Sequence, residues 1–276
     1  MVLCSRSAAG CFWKIVAMIL VRGFYVQLQV IHALLLREIM TRFGAHKLGY
    51  LWAIIEPLAF IGTFAVMFSL GNRKIPNGMD SVSFLTTGII PFLLFRQTLD
   101  RSIKAISANK ALLFYPQIRP LDLVIARSTL EIATLTTIFV TILIFNSLFN
   151  QPLMMDSLLR VMLGLTLAGL LGASLGLIIC SLSVYSNMVE RIVGPLFRPL
   201  FWISGLFFSA NELPSAIREI FMWNPILHAV EVTRDGIYSS YHAKYFNPWY
   251  VIMWILAFSF IGLTLERTAR RQLDVT

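Results

Sequence analysis

The chain has 276 residues, of which 57% are hydrophobic and only 13% charged, and it carries a net charge of +9. A soluble domain has about a quarter charged residues, so this composition excludes an ordinary soluble enzyme and describes a polytopic membrane protein. Most basic residues flank apolar runs, as the positive-inside rule requires, which removes nucleic acid as the reason for the surplus.

In chain order, Ile15–Val21 is a short apolar stretch between Lys14 and Arg22 with no small-residue cleavage site. It reads as an amphipathic lead-in on the membrane surface, not as a signal peptide. Leu28, Ile31, Leu35, Ile39 and Phe43 then recur at three- and four-residue spacing. That spacing predicts an amphipathic interface helix over residues 27–47. Arg37 and Thr41 point away from its apolar face, and Glu38 and Arg42 stand at its edge, paired at i,i+4. Gly44 and Gly49 supply a bend, and Pro57, after Glu56, kinks the run that follows.

Apolar runs long enough to cross a bilayer, about 20 residues each, predict six transmembrane helices. They lie at about 48–70, 83–101, 121–149, 158–185, 192–210 and 248–265. The second run reaches only Phe95 before Arg96, about 20 Å of helix against a ~30 Å hydrocarbon core. Arg96 therefore either snorkels to the surface or faces a polar cavity. In the third run Glu131 follows Arg127 by one helical turn, so the two neutralise each other on one face; the other reading of Glu131 is a proton-coupling group. The fourth run carries Gly172 and Gly176, with Ala168 a turn earlier, a spacing that lets helices approach closely within the bundle or between subunits. The fifth run contains Pro195, Arg198 and Pro199 and an aromatic cluster of Phe197, Phe201, Trp202, Phe207 and Phe208. These rings face lipid, or stack on sugars if the substrate is a glycan.

Residues 211–247 form the one long connection, and its periodicity predicts two short helices there. Asn224-Pro225 and Asn247-Pro248 each place a capping residue before a proline at the first helical position. Six spans put both termini on one side, and the Arg and Lys bias makes that side cytoplasmic. Cys4, Cys11 and Cys180 make no CxxC pair, so neither a disulfide framework nor a zinc site is indicated. No GxxxxGK followed by Ser or Thr occurs, so this chain has no P-loop. Energy for transport must come from an ion gradient or from a partner. Arg96, Arg127 and Arg198 place guanidiniums on the inner half of the bundle, where they suit an anionic substrate.

The stretch "LLLREIMTRFGAHKLGYLWAIIEP" (34–57) resembles the entry segment of ABC-2 type export permeases for polysaccharides. "TRFG" and the Glu-Pro ending look most like the capsular polysaccharide, polysialic acid-type permeases of Gram-negative inner membranes. The resemblance continues through "GIIPFLLF", "RSIKAISANKALLFYPQIRPLDLVIARSTLE", "RPLFWISGLFFSANELP" and "WNPILHAVEVTRDGI" and covers nearly the whole chain. It implies an all-α ABC-2 exporter fold working as a homodimer with two copies of a separate ATPase subunit. ATP and Mg2+ would bind that partner, and this chain would hold no cofactor and no metal. The family's coupling helix falls on 102–113, with Lys104, Ile106, Asn109 and Lys110. Its interface helix falls on Arg37, Glu38 and Arg42. Re-entrant helices closing the periplasmic end fall on 211–238, with Trp223, Asn224, Glu231 and Arg234 as a gate. A basic, aromatic path between the first and fifth spans of two copies would use Tyr50, Trp52, Arg96, Arg127, Arg198, Phe201, Trp202 and Phe207. The substrate implied is a lipid-linked, often acidic capsular polysaccharide. It would be handed to a periplasmic co-polymerase and an outer-membrane export protein. The same machine moving O-antigen or teichoic acid is the near alternative; an ion-coupled carrier acting alone is the distant one.

Overall fold

The computed structural model describes residues 8–43, 47–71, 75, 79–115, 117–149, 155–186 and 188–273. Helices α1 (Ala8–Phe43), α2 (Lys47–Leu70), α3 (Ser81–Ile103), α4 (Pro120–Phe149) and α5 (Leu158–Ser183) come first. The short α6 (Met188–Leu196), α7 (Leu200–Ile203), α8 (Ser215–Phe221) and α9 (Pro225–Ile237) follow, and α10 (Pro248–Leu273) closes the order.

Local chemistry starts several of them. The Asp80 carboxylate accepts from the Val82 and Ser83 amides and caps α3. Asn224 accepts from the Ile226 amide at 3.1 Å ahead of Pro225, and Asn247 accepts from the Trp249 amide at 3.0 Å ahead of Pro248.

Helix α5 is the hub, touching α3, α4, α9 and α10. Glycine permits this. A Cβ on Gly172 would sit 2.4 Å from the Phe95 carbonyl oxygen, and one on Gly176 would sit 2.3 Å from Ser102 Cβ. The small-residue stripe therefore packs α5 against α3 inside the chain. The core is built on this pair, with Leu85, Ile89, Leu94, Leu99, Leu165 and Leu171 buried between the helices.

Among the described residues, five helices are long and apolar enough to cross a membrane: α2 from Trp52, then α3, α4, α5 and α10. The further span expected at residues 192–210 is not one continuous helix. Pro195 lies inside α6, Pro199 separates it from α7, and the chain runs without helix from Ser204 to Ser209. Gly205 there has φ +77°, in the left-handed region. Hydropathy sums side chains, whereas two prolines and this glycine break the backbone.

Helix α1 also differs from expectation. It begins at Ala8, so the lead-in and the interface helix are one 36-residue element, with no proline to interrupt it. Its packed face is rotated from the predicted apolar stripe: Leu34 is buried while Leu28 is exposed. Leu34 joins Ala105, Ile106, Leu123, Val124 and Cys180 in a second, smaller core. Gly44 lies outside the described residues, and Gly49 falls inside α2.

Candidate functional site

Three arrangements bring the predicted residues together. The first is a groove of about 350 Å³ lined by Phe92, Arg96, Phe197, Arg198, Phe201 and Trp202. Helix α3 contributes Phe92 and Arg96 one turn apart, and the proline-broken segment turns Phe197, Arg198, Phe201 and Trp202 toward them. Arg96 Nε pairs with Asp100 at 2.9 Å, while its buried Nη1 has no hydrogen-bond partner among the described residues. Arg198 is exposed and pairs with no carboxylate among them. Phe201 meets Phe92, Trp202 and Phe207 edge-on, with centroids 5.5, 5.2 and 5.4 Å away. Phe207 is buried behind the groove against Phe64, at 4.4 Å. Such rings are rigid, and this edge-to-face geometry holds them in place. Of the other expected path residues, Trp52 is exposed on α2 away from this groove. The Tyr50 side chain lies outside the described residues.

The second arrangement joins α1 to the start of α4 and to the α3–α4 loop. The sequence paired Glu38 with Arg42 and Arg127 with Glu131 along their own helices; the structure pairs them crosswise. Glu38 meets Arg127 at 3.3 Å, and Arg42 meets Glu131 at 2.6 Å. Arg101 reaches Glu131 at 3.2 Å, and Arg127 Nη1 donates to the Arg101 carbonyl at 3.0 Å. Gln27 donates to Asp122 at the same interface. Polar groups on a spanning helix cannot be left bare in hydrocarbon, and α1 supplies their partners. This is why the packed face of α1 is charged. Arg127 is therefore held against α1 and lies apart from the Arg96–Arg198 groove.

The loop itself is a 3-10 turn, Ser107–Leu112, kinked at Asn109. Arg37 Nη2 donates to Asn109 Oδ1 at 2.7 Å, and Asn109 Nδ2 donates to the Ala105 carbonyl at 2.9 Å. Ile106 is buried beneath the turn, and Lys104 and Lys110 are exposed on it. Phe114 and Tyr115, not singled out from the sequence, follow at 86% and 62% exposure. The available signal was two aromatics after Ala111-Leu112-Leu113 in a loop too short to span a membrane.

The third arrangement lies at the opposite end of the bundle. Arg234 is 0% exposed and pairs with Glu231 at 3.1 Å. Its Nη1 also donates to the Phe208 carbonyl at 3.1 Å and its Nη2 to the Gly205 carbonyl at 2.9 Å. The guanidinium stacks over Phe84, 4.2 Å from the ring centroid. Glu231 accepts from the Ala210 amide at 3.1 Å and from the Tyr241 hydroxyl, which in turn faces Ser209. Asn224 Nδ2 donates to Ser204 Oγ at 2.9 Å. One buried cation on α9 thus satisfies two carbonyls, those of Gly205 and Phe208, that the broken 204–210 segment leaves without helical partners. His228 Nδ1 accepts from the Asn247 amide at 3.0 Å, which leaves its proton on Nε2 for the Met222 carbonyl at 2.9 Å. Trp223, expected beside this group, is exposed instead.

Residues 29–238 of this chain match the ABC-2 type transporter family. The chain is a member of that family. The ABC-2 match runs from α1 to the residue after α9 and includes the first arrangement whole and the other two except for Gln27, Tyr241 and Asn247. The chain is also 33% identical to the polysialic acid transport protein KpsM of Escherichia coli, over 89% of this chain and 95% of that one. It is 31% identical to the capsule polysaccharide export inner-membrane protein CtrC of Neisseria meningitidis serogroup B, over 92% and 93%. To the capsule polysaccharide export inner-membrane protein BexB of Haemophilus influenzae it is 29% identical, over 90% and 94%. As an ABC-2 chain it is a transporter permease, multi-pass in a membrane.

Proposed function

We propose that this chain is the permease subunit of an ATP-driven exporter that moves lipid-linked capsular polysaccharide from cytoplasm to periplasm. The observation that carries this reading is the groove in which Arg96 and Arg198 stand beside Phe201 and Trp202. Guanidiniums bind carboxylate or phosphate bidentately, and rigid aromatic faces suit sugar rings, so the pairing fits an acidic glycan. Relatives bearing the names KpsM, CtrC and BexB align over nearly their whole length, which supports the same substrate class.

In this reading two copies of the chain form the path and two ATPase subunits hold ATP and Mg2+. Both termini are cytoplasmic, and the chain works with a periplasmic co-polymerase and an outer-membrane export protein. The ATPase docks on the 104–115 loop. Its closure moves the 3-10 turn, and the Arg37–Asn109, Glu38–Arg127 and Arg42–Glu131 contacts carry that motion to α1 and α4 together. The buried Glu231–Arg234 pair holds the far end shut until the path widens. The paired state of Glu131 argues against the ion-coupled carrier, whose candidate proton site would be this carboxylate.

Arg96→Ala and Arg198→Ala should each lower surface polysaccharide by about tenfold, the scale of one charged hydrogen bond, while still copurifying with the ATPase. Arg127→Ala should instead weaken the ATPase response to substrate. Full surface polysaccharide in both groove variants would reject this path.

A further inference from the structure

A second groove, of about 590 Å³, opens at the end of the bundle opposite α1 and the 3-10 turn. It is lined by Arg218, Glu219, Met222, Trp223, Tyr245 and Tyr250. Its volume lies within the range of small-ligand pockets. Its walls come from α8, the corner before α9, the 238–247 connection and the start of α10.

We infer that this groove is a sugar-stacking subsite for an acidic segment of the exported glycan as it leaves the permease. The inference rests on the export reading proposed above. Four observations point to it. Trp223 is 77% exposed, so its indole face is open to a ligand. Tyr245 presents a second ring, and the Arg218 guanidinium lies 3.9 Å over it. Nη1 of that guanidinium makes a long 3.5 Å contact to the Leu213 carbonyl, and stacking leaves its remaining N–H edge to meet a sugar carboxylate. Glu219 supplies an acceptor for hydroxyl groups beside them. The platform is also prebuilt: the Tyr250 hydroxyl donates to the Trp223 carbonyl at 3.1 Å, and its ring rests 5.1 Å from that of His228. A rigid site loses little freedom on binding.

The competing occupant is the membrane interface, where Trp and Tyr form belts. Trp249, 71% exposed but outside the groove, has the features of such a belt residue. Trp223 differs in standing with a cation, a carboxylate and two further rings around one concavity.

The test uses the full chain with its ATPase in cells that make the polysaccharide. The photoreactive p-benzoylphenylalanine replaces Tyr245, Phe201 or Trp249 in separate strains, and adducts are detected with an antibody to the polysaccharide. Polysaccharide on the Tyr245 probe, with lipid alone on the Trp249 probe, is the expected result. Trp223→Ala should cut the Tyr245 adduct about tenfold while Trp223→Phe retains it, the scale of one aromatic contact. Lipid alone on Tyr245 with polysaccharide on Phe201 overturns the subsite and leaves the export reading standing. Polysaccharide on neither probe overturns both.

Discussion

Arg234 and Arg96 show how differently one residue type behaves in this molecule. Arg234 has every part of its guanidinium occupied by Glu231, two backbone carbonyls, Thr87 and the Phe84 ring. Arg96 keeps one nitrogen unpaired beside an open groove. The first is a structural cation and the second is poised for a ligand. Replacing Arg234 with Met keeps most of the length but strands the Glu231 carboxylate and two carbonyls. Breaking a buried pair this way costs about 3–5 kcal/mol, so the purified Arg234→Met protein should melt well below the parent in detergent. Adding Glu231→Leu should recover part of the loss, because no charge is then left buried. The sequence placed Arg96, Arg127 and Arg198 together on the inner half of the bundle and left their roles equal. Their partners separate them: Asp100, one turn along the same helix, for Arg96, and Glu38, on another helix far away in sequence, for Arg127.

At the scale of elements, α1 is the clearest case. Its apolar spacing made it a surface anchor, yet its buried face is set by charge. Glu38 and Arg42 on α1 oppose Arg127 and Glu131 on α4 with matching four-residue steps and opposite signs. The arrangement predicts a rescue. Glu38→Arg alone puts like charges together and should depress both surface polysaccharide and substrate-stimulated ATPase activity. Glu38→Arg combined with Arg127→Glu should restore both, with a coupling energy of about 1–3 kcal/mol in a double-mutant cycle. Equal losses in the single and double variants would show that these residues act separately. The pattern was partly legible: both i,i+4 pairs were visible, but a pair on one helix and a pair on its neighbour give the same sequence signal as two crosswise pairs.

For the whole molecule, the long apolar helices and the Asn-Pro helix starts were readable because hydropathy and capping are local. Which small residues packed on which helix was not readable, since the approach of α5 to α3 joins positions far apart in the chain. The break in the fifth run was not readable for the same reason. Its non-helical stretch is held by later residues, with Arg234 of α9 donating to the Gly205 and Phe208 carbonyls. That dependence sets an order of synthesis. When the ribosome has finished residues 188–212, the Gly205 and Phe208 carbonyls still lack their Arg234 donor, and a bilayer offers none. This part of the chain must wait, in water or beside an insertion factor, until α9 has emerged. A reporter cysteine at Ser209, which is fully buried in the finished protein, makes the delay measurable. Chains arrested before Pro225 should react with a membrane-impermeant maleimide, and completed chains should not. Protection already present in the arrested chains would mean that the segment settles unaided. A helix made later therefore decides when a segment made earlier can settle in the membrane.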